Sequence, residues 1–273
     1  MEDSLAIFVI VAIAALIFEY MDATIGMGFG TTLTPILLIM GFSPLQVVPA
    51  VLLGQLVGGV VGGFSHSKFG NIKLDFRNDR EAVKRRFGRF GYIPRSIDSK
   101  VIFILAIFGV IGAVIGVLTA VNISRIVLNI YIGVMVLSIG IWIIIKRNRY
   151  IQFSWNKLIA VGLLSAFNKG ISGGGYGPLV TGGQIISGKD SKSSVGNTTL
   201  VESAVCLVAF LSYIIIQRDI YWELAIATSI GSILAAPLAA FTVKKINARG
   251  LRLIIGIFTI ILGISTIIKM LVP

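Results

Sequence analysis

Among its 273 residues the sequence has one cysteine, one histidine and only 12 acidic residues. A lone Cys206 cannot close an intrachain disulfide, and with a single His66 no cysteine–histidine metal cluster can be assembled. Cys206 lies inside an apolar run and reads as a small packing residue. No His and Glu stand at metal-ligand spacing and no nucleophile is set beside a base, so neither enzymatic chemistry nor a bound cofactor is expected. Charge is scarce as well. Asp, Glu, Lys and Arg make up 13% of the chain, against about a quarter in soluble domains.

Apolar residues fill the space that charge leaves: 56% of the chain is hydrophobic, with a mean hydropathy of +0.94. Runs near 20 residues recur, the length that crosses about 30 Å of hydrocarbon. The class expected is an all-α polytopic membrane protein. Trp142, Tyr150, Trp155 and Trp222 fall near the ends of these runs, where amphipathic rings settle at the membrane interface. The start, Met1-Glu2-Asp3-Ser4, is acidic rather than basic, and Glu19 and Asp22 follow in the first apolar run; a retained helix is expected there, not a cleaved signal peptide.

The net charge is +12, but its placement argues against nucleic acid as a partner. Four segments hold 20 of the 24 Lys and Arg: ten in 67–100, four in 146–157, two in 188–193 and four in 244–252. Such clustering is the positive-inside bias of cytoplasmic loops beside anionic headgroups. Within the longest of them, 77–89 is compatible with a basic amphipathic surface helix or an irregular charged loop.

Gly26-Met27-Gly28-Phe29-Gly30 and Gly173-Gly174-Gly175-Tyr176-Gly177 interrupt apolar helical runs, and a shift of 147 positions superimposes them. Gly26 then falls on Gly173, Gly28 on Gly175, Phe29 on Tyr176, Gly30 on Gly177, Thr34 on Thr181, Gly41 on Gly188 and Gln55 on Glu202. Duplicated breaks of this kind mark the binding region of transporters built from repeats. The first repeat is expected over 1–146, with the basic loop 67–100 inside it, and the second over 147–273.

In order, helices are expected at 4–21, 31–40, 44–64, 101–121 and 126–145, then at 157–168, 178–187, 191–216, 220–242 and 249–271. Ser43 and Pro44 supply a cap and first turn for the third, and its glycines spaced four apart allow close helix approach. With all four basic segments on one side, each half reads as a glycine-broken re-entrant helix pair followed by three transmembrane helices. Three is odd, so the second half is inverted, giving six full spans and both termini outside. Residues 4–21 are also long enough to cross fully, which would place the N-terminus inside.

The substrate site is expected where the two breaks approach. Glycine there permits positive φ and close ligand contact, and short pieces beginning near Thr31 and Pro178 aim unpaired N–H groups at the cavity. Besides the glycines of both breaks, Tyr176 and Thr31, the intramembrane polar residues Asp22, Gln55, Asn168, Lys169, Asn197, Thr198 and Glu202 are expected around it. Lys169 aligns with Asp22, so it serves either as an anion partner or as half of an ion pair between repeats; Glu202 is either a proton carrier or a neutral hydrogen-bonded carboxyl. His66, at a span end, is expected at the interface. The second glycine run is not a phosphate loop, because no Lys-Ser/Thr follows in register.

The stretch Asp22-Ala23-Thr24-Ile25-Gly26-Met27-Gly28-Phe29-Gly30, the Gly173–Gly177 run and the two-fold repeat resemble the TauE/SafE family of sulfite and organosulfur exporters. The resemblance covers nearly the whole chain outside 67–100. It implies a multi-pass protein of a prokaryotic plasma membrane, with a small sulfur-containing anion and the lipid bilayer as partners and a homodimer as a further possibility. The first break departs from the family pattern, having Pro35 further on rather than a proline close behind a triple glycine. An anion channel, or a scaffold acting through the basic loop, remains as an alternative.

Overall fold

The computed structural model describes residues 2–77, 93–94, 96–120, 125–146, 148, 152–172, 176–217 and 220–271. Ten helices lie among them: α1 (Glu2–Ile25), α2 (Phe29–Ile39), α3 (Pro44–Lys68), α4 (Ile97–Ala120), α5 (Arg125–Ile145), α6 (Trp155–Ser172), α7 (Tyr176–Ile186), α8 (Ser191–Gln217), α9 (Trp222–Lys245) and α10 (Ala248–Leu271). A two-residue antiparallel contact, β1 (Phe76–Arg77) with β2 (Ile93–Pro94), closes the base of the long basic loop. The surface helix expected at 77–89 falls almost wholly outside the described residues, and so does Tyr150.

Five of these helices contain stretches long and apolar enough to cross a membrane: Leu5–Ile25, Gln46–Lys68, Ser191–Ile215, Trp222–Lys245 and Ala248–Ser265. The chain is an all-α polytopic membrane protein. Between the long helices stand α2 and α7, with 11 residues each, about 16 Å at 1.5 Å per residue and too short to cross. Moving α2 forward by 147 positions lays Phe29–Ile39 on Tyr176–Ile186, the bounds of α7. The glycines that follow them, Gly41 and Gly188, carry φ of +96° and +93°.

Two helices exceed the length their sequence pattern indicates by six residues each. The helix expected at 157–168 is α6, with 18 residues, and the one expected at 4–21 is α1, with 24. Asn168 and Lys169 interrupt an apolar run without interrupting a helix, since neither residue costs much helix propensity; α6 ends at Ser172, where the triple glycine begins. Helix α1 runs beside α9 in the same direction. Ile7 and Phe8 meet Tyr221 and Leu224 around a cavity of about 240 Å³. A Cβ at Gly231 would press on the α1 backbone at Ala12 and Leu16. Further along, Tyr20 Oη lies 2.8 Å from Thr242 Oγ1. The first helix of the pair thus matches α9 in depth, whereas its return, α2, is a half-helix. The return leads to Phe42, whose ring stands 6.0 Å from that of Tyr221, beside the start of α1.

The glycines of α3 work as their spacing indicates. A Cβ at Gly59 would lie 2.8 Å from Ser203 Cβ, and one at Gly63 would lie 2.6 Å from Leu200 Cδ1, both on α8. Helices α5 and α10 meet reciprocally. A Cβ at Gly140 would be 2.8 Å from the backbone of Ile260, and one at Gly263 would be 2.6 Å from the backbone of Leu137. Without side chains at these points two backbones can come close, the usual source of packing between helices in lipid.

The basic segments gather at one end of the bundle. Lys192 Nζ donates to Lys244 O at 2.7 Å, and Ser191 Oγ to Ala248 O at 2.8 Å. Lys244 Nζ stands 5.8 Å from the ring centroid of Phe69. Ser154 N donates to Ser187 O at 2.9 Å, and Lys189 pairs with Asp98. Phe42, Tyr221 and the start of α1 occupy the opposite end.

Candidate functional site

The first break is the short connection between α1 and α2. Gly26 and Gly28 carry φ of +78° and +133°, a backbone region that glycine enters without a Cβ clash. Gly26 N donates to Asp22 O at 2.6 Å and ends α1. Thr32 N donates to Gly28 O at 3.0 Å and begins the bonding of α2. Phe29 N, the first amide of α2, donates to Asp22 Oδ1 at 3.4 Å, so the buried Asp22 carboxylate already faces this helix N-terminus. Thr31 is exposed and donates to Gly28 O at 3.2 Å; it stays outside the buried polar cluster.

The second break meets the first. Gly173, Gly174 and Gly175 lie outside the described residues, as do the side chains of Asn168 and Lys169. Tyr176 and Gly177, which begin α7, are buried. A Cβ at Gly177 would stand 2.5 Å from Gly26 O and 3.0 Å from Met27 Cα. Thr181, one turn along α7, donates to Gly26 O at 3.0 Å. Thr181 Oγ1 also lies 2.9 Å from Thr198 Oγ1 of α8.

From Thr198 the polar contacts continue toward the basic end. Gln184 Nε2 donates to Thr198 Oγ1 at 2.9 Å and to Ser194 O at 3.2 Å. Asn197 Nδ2 donates to Gln184 Oε1 at 3.1 Å and reaches Asp98 Oδ1 at 3.5 Å, while Asn197 Oδ1 has no partner among the described residues. Asp98 and Lys189 form a buried ion pair at the end of this chain. In the other direction Gln55 Nε2 donates to Glu202 Oε1 at 3.3 Å. Gly30 faces that pair: a Cβ there would lie 3.5 Å from Gln55 Oε1. Cys206 Sγ is 3.7 Å from the same Gln55 oxygen.

Of the residues expected at the site, the structure thus brings together Asp22, Gly26, Gly28, Gly30, Gln55, Tyr176, Gly177, Asn197, Thr198 and Glu202. It adds Glu19, Thr181, Gln184 and Asp98, which sequence reasoning had not placed there. Spacing could have found three of them. Thr181 and Gln184 lie three apart on α7, Ser194 and Thr198 four apart on α8, and each pair shares one helix face. Glu19 precedes Asp22 by three residues on α1 and had the same signal.

His66 is a correction. It is fully buried instead of interfacial. Asn71 Nδ2, an amide donor, lies 3.0 Å from Nδ1, which makes Nδ1 the acceptor and leaves Nε2–H to donate to Ala23 O at 3.0 Å. Asn71 Nδ2 also donates to Ala240 O at 2.8 Å. A span-end position placed His66 in the headgroup region, but its ring is the tie between the ends of α1, α3 and α9.

Comparison with known proteins agrees with this architecture. Residues 87–266 match the family described as Sulfite exporter TauE/SafE. The chain is 25% identical over 273 residues to the probable membrane transporter protein YtnM of Bacillus subtilis, covering 96% of this chain and 83% of that protein. The chain is a membrane transporter and not an enzyme.

Proposed function

We propose that this chain, which belongs to the sulfite exporter TauE/SafE family, is a secondary transporter exporting small sulfur-containing anions, sulfite or a sulfonate, from a prokaryotic cell by alternating access. The observation that carries this reading is the contact of Gly177 with Gly26 O and Met27 Cα, which joins the two interrupted helices inside the bundle. Irregular backbone at membrane depth is tolerated only when buried in protein or lining a watery cavity. In transporters built from inverted repeats, that cavity is the substrate site.

The two breaks divide the work. The first amide of α2 is bonded to Asp22, so the protein's own carboxylate stands where an anion would bind. The anion is therefore assigned to the second break, where the N–H groups of Gly173–Gly177 and the first turn of α7 supply donors and Lys169 supplies charge. Asn168, Asn197, Thr198 and Glu202 complete the surroundings. The end bearing Lys68, Lys189, Lys192 and Lys244 faces the cytoplasm, by the positive-inside bias, and the start of α1 faces outward. The matching bounds of α2 and α7 and the reciprocal packing of α5 with α10 support an inverted repeat.

Thermal stabilisation of the purified protein by sulfite, sulfate, sulfoacetate, taurine and a carboxylate control tests this. Selective stabilisation by one sulfur anion is expected, lost in Lys169→Ala and in Gly174→Val. An unchanged response in both variants, or no response to any sulfur anion, sinks the assignment. If deleting 67–100 abolishes function while Gly174→Val leaves it intact, the working part is the basic loop.

A further inference from the structure

Three buried carboxylates stand close together: Glu19 and Asp22 on α1 and Glu202 on α8. Asp22 accepts from Phe29 N and Glu202 from Gln55 Nε2. Glu19 differs. Among the described residues its Oε2 is enclosed and has no hydrogen-bond partner, and the same holds for Ser232 Oγ on α9. The two residues meet at Gly58 of α3, where an added Cβ would lie 2.7 Å from Ser232 Cβ and 2.9 Å from Glu19 Oε1. The charged groups acting on Glu19 are both carboxylates, Asp22 and Glu202. Helix α3 carries neutral Gln55 and, nearer its end, His66, whose Nε2–H is committed to Ala23 O, while α9 bears Glu223 in its first turn and Lys244 and Lys245 in its last. Helix α2 carries no titratable residue.

An ionised carboxylate enclosed without a donor or a cation is among the costliest arrangements in a protein. A bare metal ion is a poor remedy, because the hard cations take six or more oxygens and Gly58 offers no side-chain ligand. A proton removes the enclosed charge and leaves Glu19 a neutral acid beside the Ser232 hydroxyl, which meets the same glycine, Gly58. We propose that Glu19 binds the coupling proton of the transport cycle, in a pocket formed by α1, α3 and α9. The inference rests on the transport reading above.

The proton arrives from water on one side, converts the carboxylate to the acid, and leaves from Glu19 to water on the other side; no other bond changes. Glu19 and Asp22 are three residues apart on one face of α1, and Asp22 holds the first amide of α2. Loading Glu19 removes a negative charge beside Asp22 and so alters the balance at the first break. Proton and anion are thereby linked through one turn of α1 and the contact of Gly177 with the first break.

The test uses the full chain in liposomes, with radiolabelled sulfite and an imposed pH gradient, alongside infrared spectra of the protonated carboxyl stretch in H2O and D2O. Wild type is expected to accumulate sulfite with the gradient and to show a D2O-sensitive carboxyl band. Glu19→Gln is expected to lose both, and Glu19→Asp, which keeps a titratable group, to retain accumulation. Accumulation by Glu19→Gln at the wild-type level, or persistence of the band in that variant, overturns the proposal. If wild type accumulates no sulfite, the substrate reading falls. The carboxyl band then decides the proton site alone: its loss in Glu19→Gln supports the site and its persistence refutes it.

Discussion

Replacing Gly177 by alanine is the sharpest probe of the contact between the breaks. The added Cβ would lie 2.5 Å from Gly26 O, where ordinary contact begins at 3.4 Å, so the two segments must part by about 0.9 Å. Neither side yields easily, because the atoms met are backbone and Gly26 O is also held by Thr181 at 3.0 Å. Overpacking of this kind costs about 1–3 kcal/mol, and a loosened Thr181–Gly26 hydrogen bond adds about 0.5–1.5 kcal/mol. A total of about 2–4 kcal/mol is expected, and if one alternating state needs the breaks in contact, its population falls about 30-fold or more. Both consequences are measurable on one preparation, as a lowered thermal midpoint in detergent and a reduced initial rate of sulfite transport in liposomes. Gly250→Ala, in the first turn of α10 with nothing within 4 Å, is the control; it should be neutral or gain up to about 1 kcal/mol of helix propensity. Wild-type transport and an unchanged midpoint in Gly177→Ala would refute the idea that the breaks are in working contact.

Two further changes probe the polar cluster. Lys189→Met leaves Asp98 buried and unpaired, since the two side chains are only 10% and 12% exposed; a loss of about 3–5 kcal/mol is expected, most of it recovered when Asp98→Asn is added, read from thermal midpoints. Gln55→Leu removes the hydrogen bond from Nε2 to Glu202 Oε1 at 3.3 Å and should lower the thermal midpoint by a loss of about 1–3 kcal/mol.

Sequence periodicity located the helices well because α2 and α7 are bounded by glycines and repeat at a fixed offset, and neither feature depends on tertiary context. What it read poorly was depth. Asn168 and Lys169 looked like the end of a helix that runs on to Ser172, because a polar side chain in an apolar run can mark either a surface or a cavity. His66 failed for the same reason, as a span end in the chain is not an exposed end once Asn71 and Ala23 close over it. The Asp98–Lys189 pair joins residues 91 positions apart, with α5, α6 and the second break between them, and no local pattern predicts it. The three-residue spacing of Glu19 and Asp22 marks a shared helix face but not a missing partner; only the packing against Gly58 and Ser232 shows that Glu19 Oε2 has none among the described residues.

Gln55 and Glu202 stand 147 positions apart, the same offset that relates the two glycine runs, and they touch. A residue in contact with its own counterpart is under a constraint that other residues escape. In an assembly of two identical chains that position is either two amides or two carboxylates, and two ionised carboxylates at such a distance repel. Fusing the copies into one chain removes the constraint, because each copy of the position can then drift alone. The amide facing the carboxylate at 3.3 Å is an arrangement that a symmetric homodimer cannot build, and it leaves one acidic group at this contact instead of two or none.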